Sequence, residues 1–329
     1  MTVAPSGAEG AQPAGCRQVA LPLRRSPGRS SAPPNEPRQG TLCVTPPVAG
    51  RARRIRWRGR EHPMQIGVFA TNLGLGDPYA SLERAASIPG VRGVQVGNVG
   101  GPLDPANLDA AARGRFREQA DRLGLTIAAL CGHQDFVTAD DGLQARAARF
   151  EAIMDLAVQW GTPIVTTESG HLAPGADRER AWDTLVGVVR RICRHGERVG
   201  AYFALEASGS CFIANADDLG HLIDAVDSPA LRVNFDPANF VMFGNDPIQG
   251  VRALGRRIVH THAKDGLRQA GGRPREVPLG QGGVPWTEYL AALRATGYDG
   301  FLTIERETGP DPARDIAAAA DFLAQCLRG

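Results

Sequence analysis

The sequence predicts an α/β fold, a closed (β/α)8 TIM barrel in a single domain. Three observations carry that prediction: a recurrent β-then-α rhythm, the length over which it recurs, and the ionisable residues that end most of the apolar runs. From Met64 onward, short β-rich runs alternate with amphipathic stretches eight times in about 265 residues, the usual size of such a barrel. A doubly wound open sheet competes, but no strand here runs directly into a GxGxxG turn and helix.

The expected strands are Gln65 to Ala70, Val91 to Gly97, Leu125 to Cys131, Ile164 to Glu168, Tyr202 to Glu206, Leu231 to Asp236, Ile258 to His262 and Phe301 to Glu305. Between them lie amphipathic stretches such as 108–124, 143–161 and 181–200, each ending at a Gly, where helices often stop. Residues 1–63 have a different texture, with ten of the 24 prolines and the run RARRIRWRGR at 51–60. Such a segment buries too little apolar surface to offset its ordering entropy, so the domain reading is a disordered Arg/Pro-rich extension over 1–63 and the barrel over 64–329.

Charge follows the same division. The net +2 splits into +8 over residues 1–63 and −6 over the rest, so the whole-chain pI says little about partners. A basic extension can bind nucleic acid, but a non-native upstream segment is the favoured reading, and nucleic acid is not an expected partner. No apolar run approaches the roughly 20 residues of a membrane helix, and the first residues lack the pattern of an export signal. Six scattered cysteines, with no CxxC pair, favour free thiols and a cytoplasmic setting.

In a barrel of this kind, chemistry sits at the carboxyl ends of the strands. The fourth expected strand ends in Glu168, the fifth in Glu206, the sixth in Asp236, the seventh in His262 and the eighth in Glu305, while the third runs into His133. A rim residue paired with a neighbour accounts for any one of these, but not for the series, because converging buried carboxylates need a cation or shared protons. Adjacent strands lie about 4.8 Å apart, so Glu206, Asp236, His262 and Glu305 can converge on one divalent metal ion. Three carboxylates and an imidazole suit Mn²⁺ first, with Mg²⁺, Co²⁺ or Zn²⁺ as alternatives.

The segments IVHTHAKDG (258–266), NFDPANFVMFGNDPIQGVRALG (234–255) and VPLGQGGVPWTEYLAALRATGYDGFLTIERETG (277–309) together resemble the sugar phosphate isomerase/epimerase superfamily of xylose isomerase-like barrels. That superfamily includes ketose 3-epimerases, hydroxypyruvate isomerase, inosose dehydratase and endonuclease IV. The resemblance runs from Met64 to the C-terminus and is densest after Glu206. It implies that Glu206, Asp236, His262 and Glu305 bind one metal and that Glu206 and Glu305 face each other across the substrate as proton acceptor and donor. The chain departs from the pattern at Asn239, where many relatives place His; an amide still bonds sugar hydroxyls but is a poor metal ligand. Endonuclease IV needs further His and Asp ligands; here position 239 is Asn, and 260 and 261 are His and Thr rather than Asp, which argues against DNA cleavage.

The expected activity is therefore metal-dependent isomerisation or epimerisation of a small keto sugar or polyol through a metal-bound enediolate, with Glu206 and Glu305 as catalytic acid and base. The alternative is a dehydratase that expels a hydroxyl from a keto-inositol or keto sugar at the same site. Two further classes are a Schiff-base aldolase on Lys264 and a nucleic-acid-binding scaffold. Lys264, the single lysine beside 36 arginines, follows His262 at i+2 and is expected to reach the site mouth and bind a substrate oxygen; a salt bridge with Asp265 or another acid is the competing reading. Asn239, His133 and Glu168 complete the expected substrate contacts, with His171 as a weaker candidate, and His260 reads as an orienting or core residue. Residues 266–284 read as a flexible Gly-rich loop, with a phosphate cradle built on Arg268, Arg273 and Arg275 left open. A homo-oligomer is a further expectation.

Overall fold

In the computed structural model, which describes residues 64–328, parallel strands close into a barrel of order β1-β10-β7-β6-β5-β4-β3-β2. The strands are β1 (Gln65–Phe69), β2 (Val91–Gly97), β3 (Thr126–Cys131), β4 (Ile164–Glu168), β5 (Tyr202–Glu206), β6 (Leu231–Phe235), β7 (Ile258–Ala263) and β10 (Phe301–Ile304). A two-stranded antiparallel hairpin, β8 (Asp265–Arg268) with β9 (Pro274–Val277), follows β7 directly. Helices α1 (Pro78–Ser87), α2 (Ala110–Arg122), α3 (Leu143–Gln159), α4 (Arg178–Val199), α5 (Ala216–Val226), α6 (Pro237–Phe243), α7 (Pro247–Leu254), α8 (Trp286–Thr296) and α9 (Pro312–Arg328) fill the connections. The expected strands are present to within a residue at either end, and the expectations for residues 1–63 lie outside the described residues.

Local signals start and stop the helices. Asp77, Asp236 and Asp246 each cap a helix whose first residue is Pro, accepting backbone N–H groups of the first turn while Pro supplies a preset φ at a position that needs no donor. Gly200 and Gly297 end α4 and α8 in the left-handed region, at φ 80° in both cases.

Burial decides the layers. Phe136, Phe150 and Phe203 form an aromatic cluster with centroids 4.8–5.7 Å apart, which packs α3 against the outer face of the barrel. Inside, alternate residues of each strand stack in tiers. Phe301 stands at the base, where Gly67 and Gly93 make room for its ring: a Cβ on Gly93 would lie 2.3 Å from Phe301 Cε1. Ala129, Ile164 and Ala204 form a small apolar cluster apart from the main core. Gln95, Thr166 and His260 lie in a hydrogen-bonded polar tier above, and the strand-end acids crown it.

The hairpin corrects the reading of 266–284 as a flexible loop. Asp265 is 1% exposed and accepts four N–H groups: those of Gly266 (2.9 Å), Gly280 (3.0 Å), Val284 (3.2 Å) and the Trp286 indole (3.1 Å). One carboxylate thus gathers both ends of the segment onto α8. Arg268, Arg273 and Arg275 are exposed and do not line the cavity described below, so they form no phosphate cradle there.

Two stability outcomes follow. Gly93→Ala should lower the unfolding free energy by about 1–3 kcal/mol through overpacking against Phe301, read from urea midpoints, and Phe301→Leu in the same chain should recover part of the loss. Asp265→Ala should cost about 2–4 kcal/mol by stranding buried N–H groups, and limited proteolysis should then cut first within 266–284. Unchanged cleavage kinetics would refute the anchoring role.

Candidate metal centre

The carboxyl ends of β5, β6, β7 and β10 bring Glu206, Asp236, His262 and Glu305 together. Each offers one ligand atom, all of these atoms lie within 4.8 Å of one another, and all four side chains are buried. Asp236 and Glu305 stand one residue beyond their strands. For Asp236 that placement divides its work: Oδ1 caps α6 by accepting from Ala238 N (2.8 Å) and Asn239 N (3.2 Å), while Oδ2 has no hydrogen-bond partner.

His262 shows why the cluster fits a cation. Thr166 Oγ1 accepts from Gln95 Nε2 at 2.9 Å, which turns the Gln95 carbonyl oxygen toward the two imidazoles. That oxygen lies 2.9 Å from His260 Nε2 and 3.0 Å from His262 Nε2, and an acceptor there places the His262 proton on Nε2. In the neutral tautomer Nδ1 keeps its lone pair, 3.3 Å from Glu206 Oε2 and 3.2 Å from Glu305 Oε2; with no cation between them, those carboxylates draw a second proton onto it. A lone pair facing two carboxylate oxygens in a buried setting calls for a positive centre between them, and hard oxygen donors with one imidazole suit a divalent cation.

Electrostatics point the same way. Burial raises the Glu206 pKa and pushes Asp236 up to about 7. Burial opposes ionisation of Glu305 as well, but His262 and Lys264 outweigh it and hold that carboxyl well below the usual range. His262 and Lys264 are raised well above their ordinary values, with burial overcome in both by the neighbouring carboxylates, Glu305 foremost. His260 is lowered, by burial first and then by His262, and stays neutral. Protons on some of these groups and a divalent ion are thus two ways of balancing one excess of negative charge.

A cavity of about 570 Å³ opens above the cluster, within the range of small-molecule sites. Glu206, His262, Lys264 and Glu305 line it, as do Asn239, His133 and Glu168; Phe69, Met242 and Phe243 give it an apolar side. Asn239 Nδ2 donates to Glu206 Oε1 at 2.8 Å, and Asn234 Nδ2 donates to Glu206 Oε2. His133 Nε2 lies 3.3 Å from Glu168 Oε2. Lys264 donates to Glu305 Oε2 at 3.0 Å and to Glu307 Oε2, so its acidic partners are these two rather than Asp265. His260 is 1% exposed, an interior residue, and His171 is exposed with Nδ1 2.6 Å from the Ser210 carbonyl, outside the cavity lining.

Gln95, Asn234 and Glu307 escape the reading of strand ends. Their signal is period-two alternation: Asn234 precedes Asp236 by two, Glu307 follows Glu305 by two, and Gln95 interrupts the uncharged run Gly93 to Gly97 of β2.

Comparisons with known proteins agree with this architecture. The family model described as xylose isomerase-like TIM barrel matches residues 82–326. The chain is 28% identical over 239 residues to a 2-epi-5-epi-valiolone 7-phosphate 2-epimerase of Actinoplanes sp., covering 71% of this chain and 84% of that one. It is 23% identical over 258 residues to an inosose dehydratase of Lacticaseibacillus casei, covering 71% and 83%. Among solved structures, a xylose isomerase domain protein from Planctomyces limnophilus superposes with a TM-score of 0.67 at 28% identity, over 81% of this chain and 98% of that one.

The cluster predicts one divalent ion per chain. At a free Mn²⁺ concentration 100 times its Kd, the folded state should gain about 2.7 kcal/mol, seen as a rise in thermal midpoint. Asp236→Asn and His262→Ala should each abolish that rise, and a rise that survives both would sink the assignment.

Proposed function

The chain belongs to the xylose isomerase-like TIM-barrel family, and from that premise we propose that it is a metal-dependent isomerase or epimerase acting on a small keto sugar or polyol. The observation that carries the reading is the placement of two glutamates, Glu206 and Glu305, each with an oxygen 3.2–3.3 Å from His262 Nδ1 and both lining one cavity. Glu206, Asp236, His262 and Glu305 would hold the ion, with Mn²⁺ the favoured metal. A divalent ion held there supplies Lewis acidity, which makes a C–H beside a substrate carbonyl easier to deprotonate.

The chain's own groups do the rest. Glu206 and Glu305 differ in environment, which suits two proton-transfer roles. Glu206 has one amide donor on each oxygen, from Asn239 and Asn234, which fixes its plane. Glu305 accepts a hydrogen bond from Lys264 at 3.0 Å, which orients its carboxylate. One carboxylate takes the proton from substrate carbon; the other returns one to the opposite face or to the adjacent carbon. An ammonium carries three N–H donors, so Lys264 can serve both carboxylates and still donate to a substrate oxygen. Asn239, His133 and Glu168 line the same cavity and offer partners for hydroxyls.

Dehydration of a keto-inositol or keto sugar is the second reading. It draws on Glu305, which can pass the proton taken from substrate carbon to a departing hydroxyl that the Lys264 ammonium hydrogen-bonds, and on the similarity to an inosose dehydratase.

With keto sugars and inososes in D₂O, the Mn²⁺-loaded protein should incorporate deuterium at one substrate carbon, and EDTA should stop it. Glu206→Gln and Glu305→Gln should each reduce exchange by at least about 100-fold. Full exchange in chelator would falsify the metal-dependent reading, and a deoxy or unsaturated product would decide for the lyase.

A further inference from the structure

Lys264 is the only lysine of the chain and, among the described residues, the only Lys or Arg side chain that lines the cavity. An anionic substituent on a substrate would turn to it. Its charge is already met: Nζ donates to Glu305 Oε2 at 3.0 Å and to Glu307 Oε2. Glu305 belongs to the metal cluster, so Glu307 is the partner whose presence the cluster itself does not require.

The backbone that carries Glu307 is held in place by the surrounding structure. Its side chain is 55% exposed, yet it turns back to a lysine side chain that is only 7% exposed. Its backbone N–H donates to Glu276 Oε1 at 3.0 Å, and the Thr308 hydroxyl donates to Glu276 Oε2 at 3.0 Å. Glu276, on β9, is paired with Arg306 Nη1 at 3.0 Å, and Arg306 Nε with Asp315 Oδ2 at 2.8 Å. The hairpin, the segment after β10 and α9 thus lock the rim segment that carries Glu307. Glu168, Glu206, Glu276, Glu305 and Glu307 all line the cavity, while Arg268, Arg273 and Arg275 of the hairpin do not.

We propose that Glu307 sets the charge class of the substrate: by occupying Lys264 it keeps the site for an uncharged keto sugar or polyol and turns away the phosphomonoester of the same compound. This rests on the reading of the site as one that transforms sugars. A neutral carbonyl or hydroxyl oxygen can accept the remaining N–H of Lys264 without displacing a carboxylate. A phosphate group would bring nearly two negative charges into a ring of glutamates and would have to compete with Glu307 for the one ammonium.

The test follows deuterium exchange from D₂O by the full-length, Mn²⁺-loaded protein, with D-fructose, D-tagatose and a keto-inositol each set beside its phosphomonoester. The unaltered chain should favour the neutral compound by at least tenfold in kcat/KM, a preference read without any variant. Glu307→Gln should shrink that preference at least tenfold through a lower KM for the phosphomonoester, and Glu307→Arg should shrink it further. Equal or better turnover of the phosphomonoester by the unaltered chain overturns the proposal, as does a ratio that moves in neither variant while circular dichroism finds both folded. Either result leaves the proposed reaction standing. Exchange in no compound with Mn²⁺, Mg²⁺ or Co²⁺ overturns the proposed reaction and this inference together.

Discussion

Three carboxylates and an imidazole, all buried, have ligand atoms within 4.8 Å of one another. Two unit charges 4 Å apart interact by about 4 kcal/mol at an effective dielectric of about 20, so groups of like charge cannot be gathered this way unless opposite charge or hydrogen-bond donors meet them. Much of the upper barrel answers that demand. Lys264 meets Glu305, the amides of Asn234 and Asn239 meet the two oxygens of Glu206, and the α6 N-terminus takes one oxygen of Asp236. What these donors leave over, Asp236 Oδ2 and His262 Nδ1, points to the place where a cation belongs.

Closure of the barrel delivers this arrangement. Gln95 on β2 reaches His260 and His262 on β7 through the barrel interior, although β2 and β7 are not neighbours in the sheet. That contact requires the inner tiers to be in register. Glu206 lies beside Asn234, and Asn234 beside His260, in adjacent strands. Below this level the interior turns apolar, and Phe301 occupies the space left by Gly67 and Gly93. Stability and chemistry thus occupy different heights of the same strands, as the fold generally arranges them.

The sequence made the strands and their terminal acids legible because an apolar run of β-rich residues that stops at an ionisable group is a local pattern. Glu206, Asp236, His262 and Glu305 could be proposed as a set from spacing alone. What supports them could not: Gln95 and His262 are 167 positions apart, and their hydrogen bond exists only because the barrel closes. The hairpin was hidden for a related reason. Its Gly, Pro and Arg content reads as loop, and its order comes from Asp265, whose four bonds join residues distant from the turn. The residue type of Asn239 points to substrate contact; the side chain lines the cavity, but its amide is also committed to Glu206, a role that residue type alone does not specify.

The lone lysine follows from the same geometry. In a chain with 36 arginines, an arginine at 264 would be the compositional default. A guanidinium is a planar fork that matches one carboxylate bidentately and extends farther from the backbone. At 264 the cation must instead donate in divergent directions, to the buried Glu305 and to Glu307 at the rim, and it does so at the edge of the cavity. An ammonium, compact and with three rotatable donors, meets that requirement without filling the space above the metal cluster. A guanidinium would engage one glutamate well, leave the other short of a partner, and intrude on the cavity. Lysine at this one position is therefore a consequence of how Glu305 and Glu307 diverge.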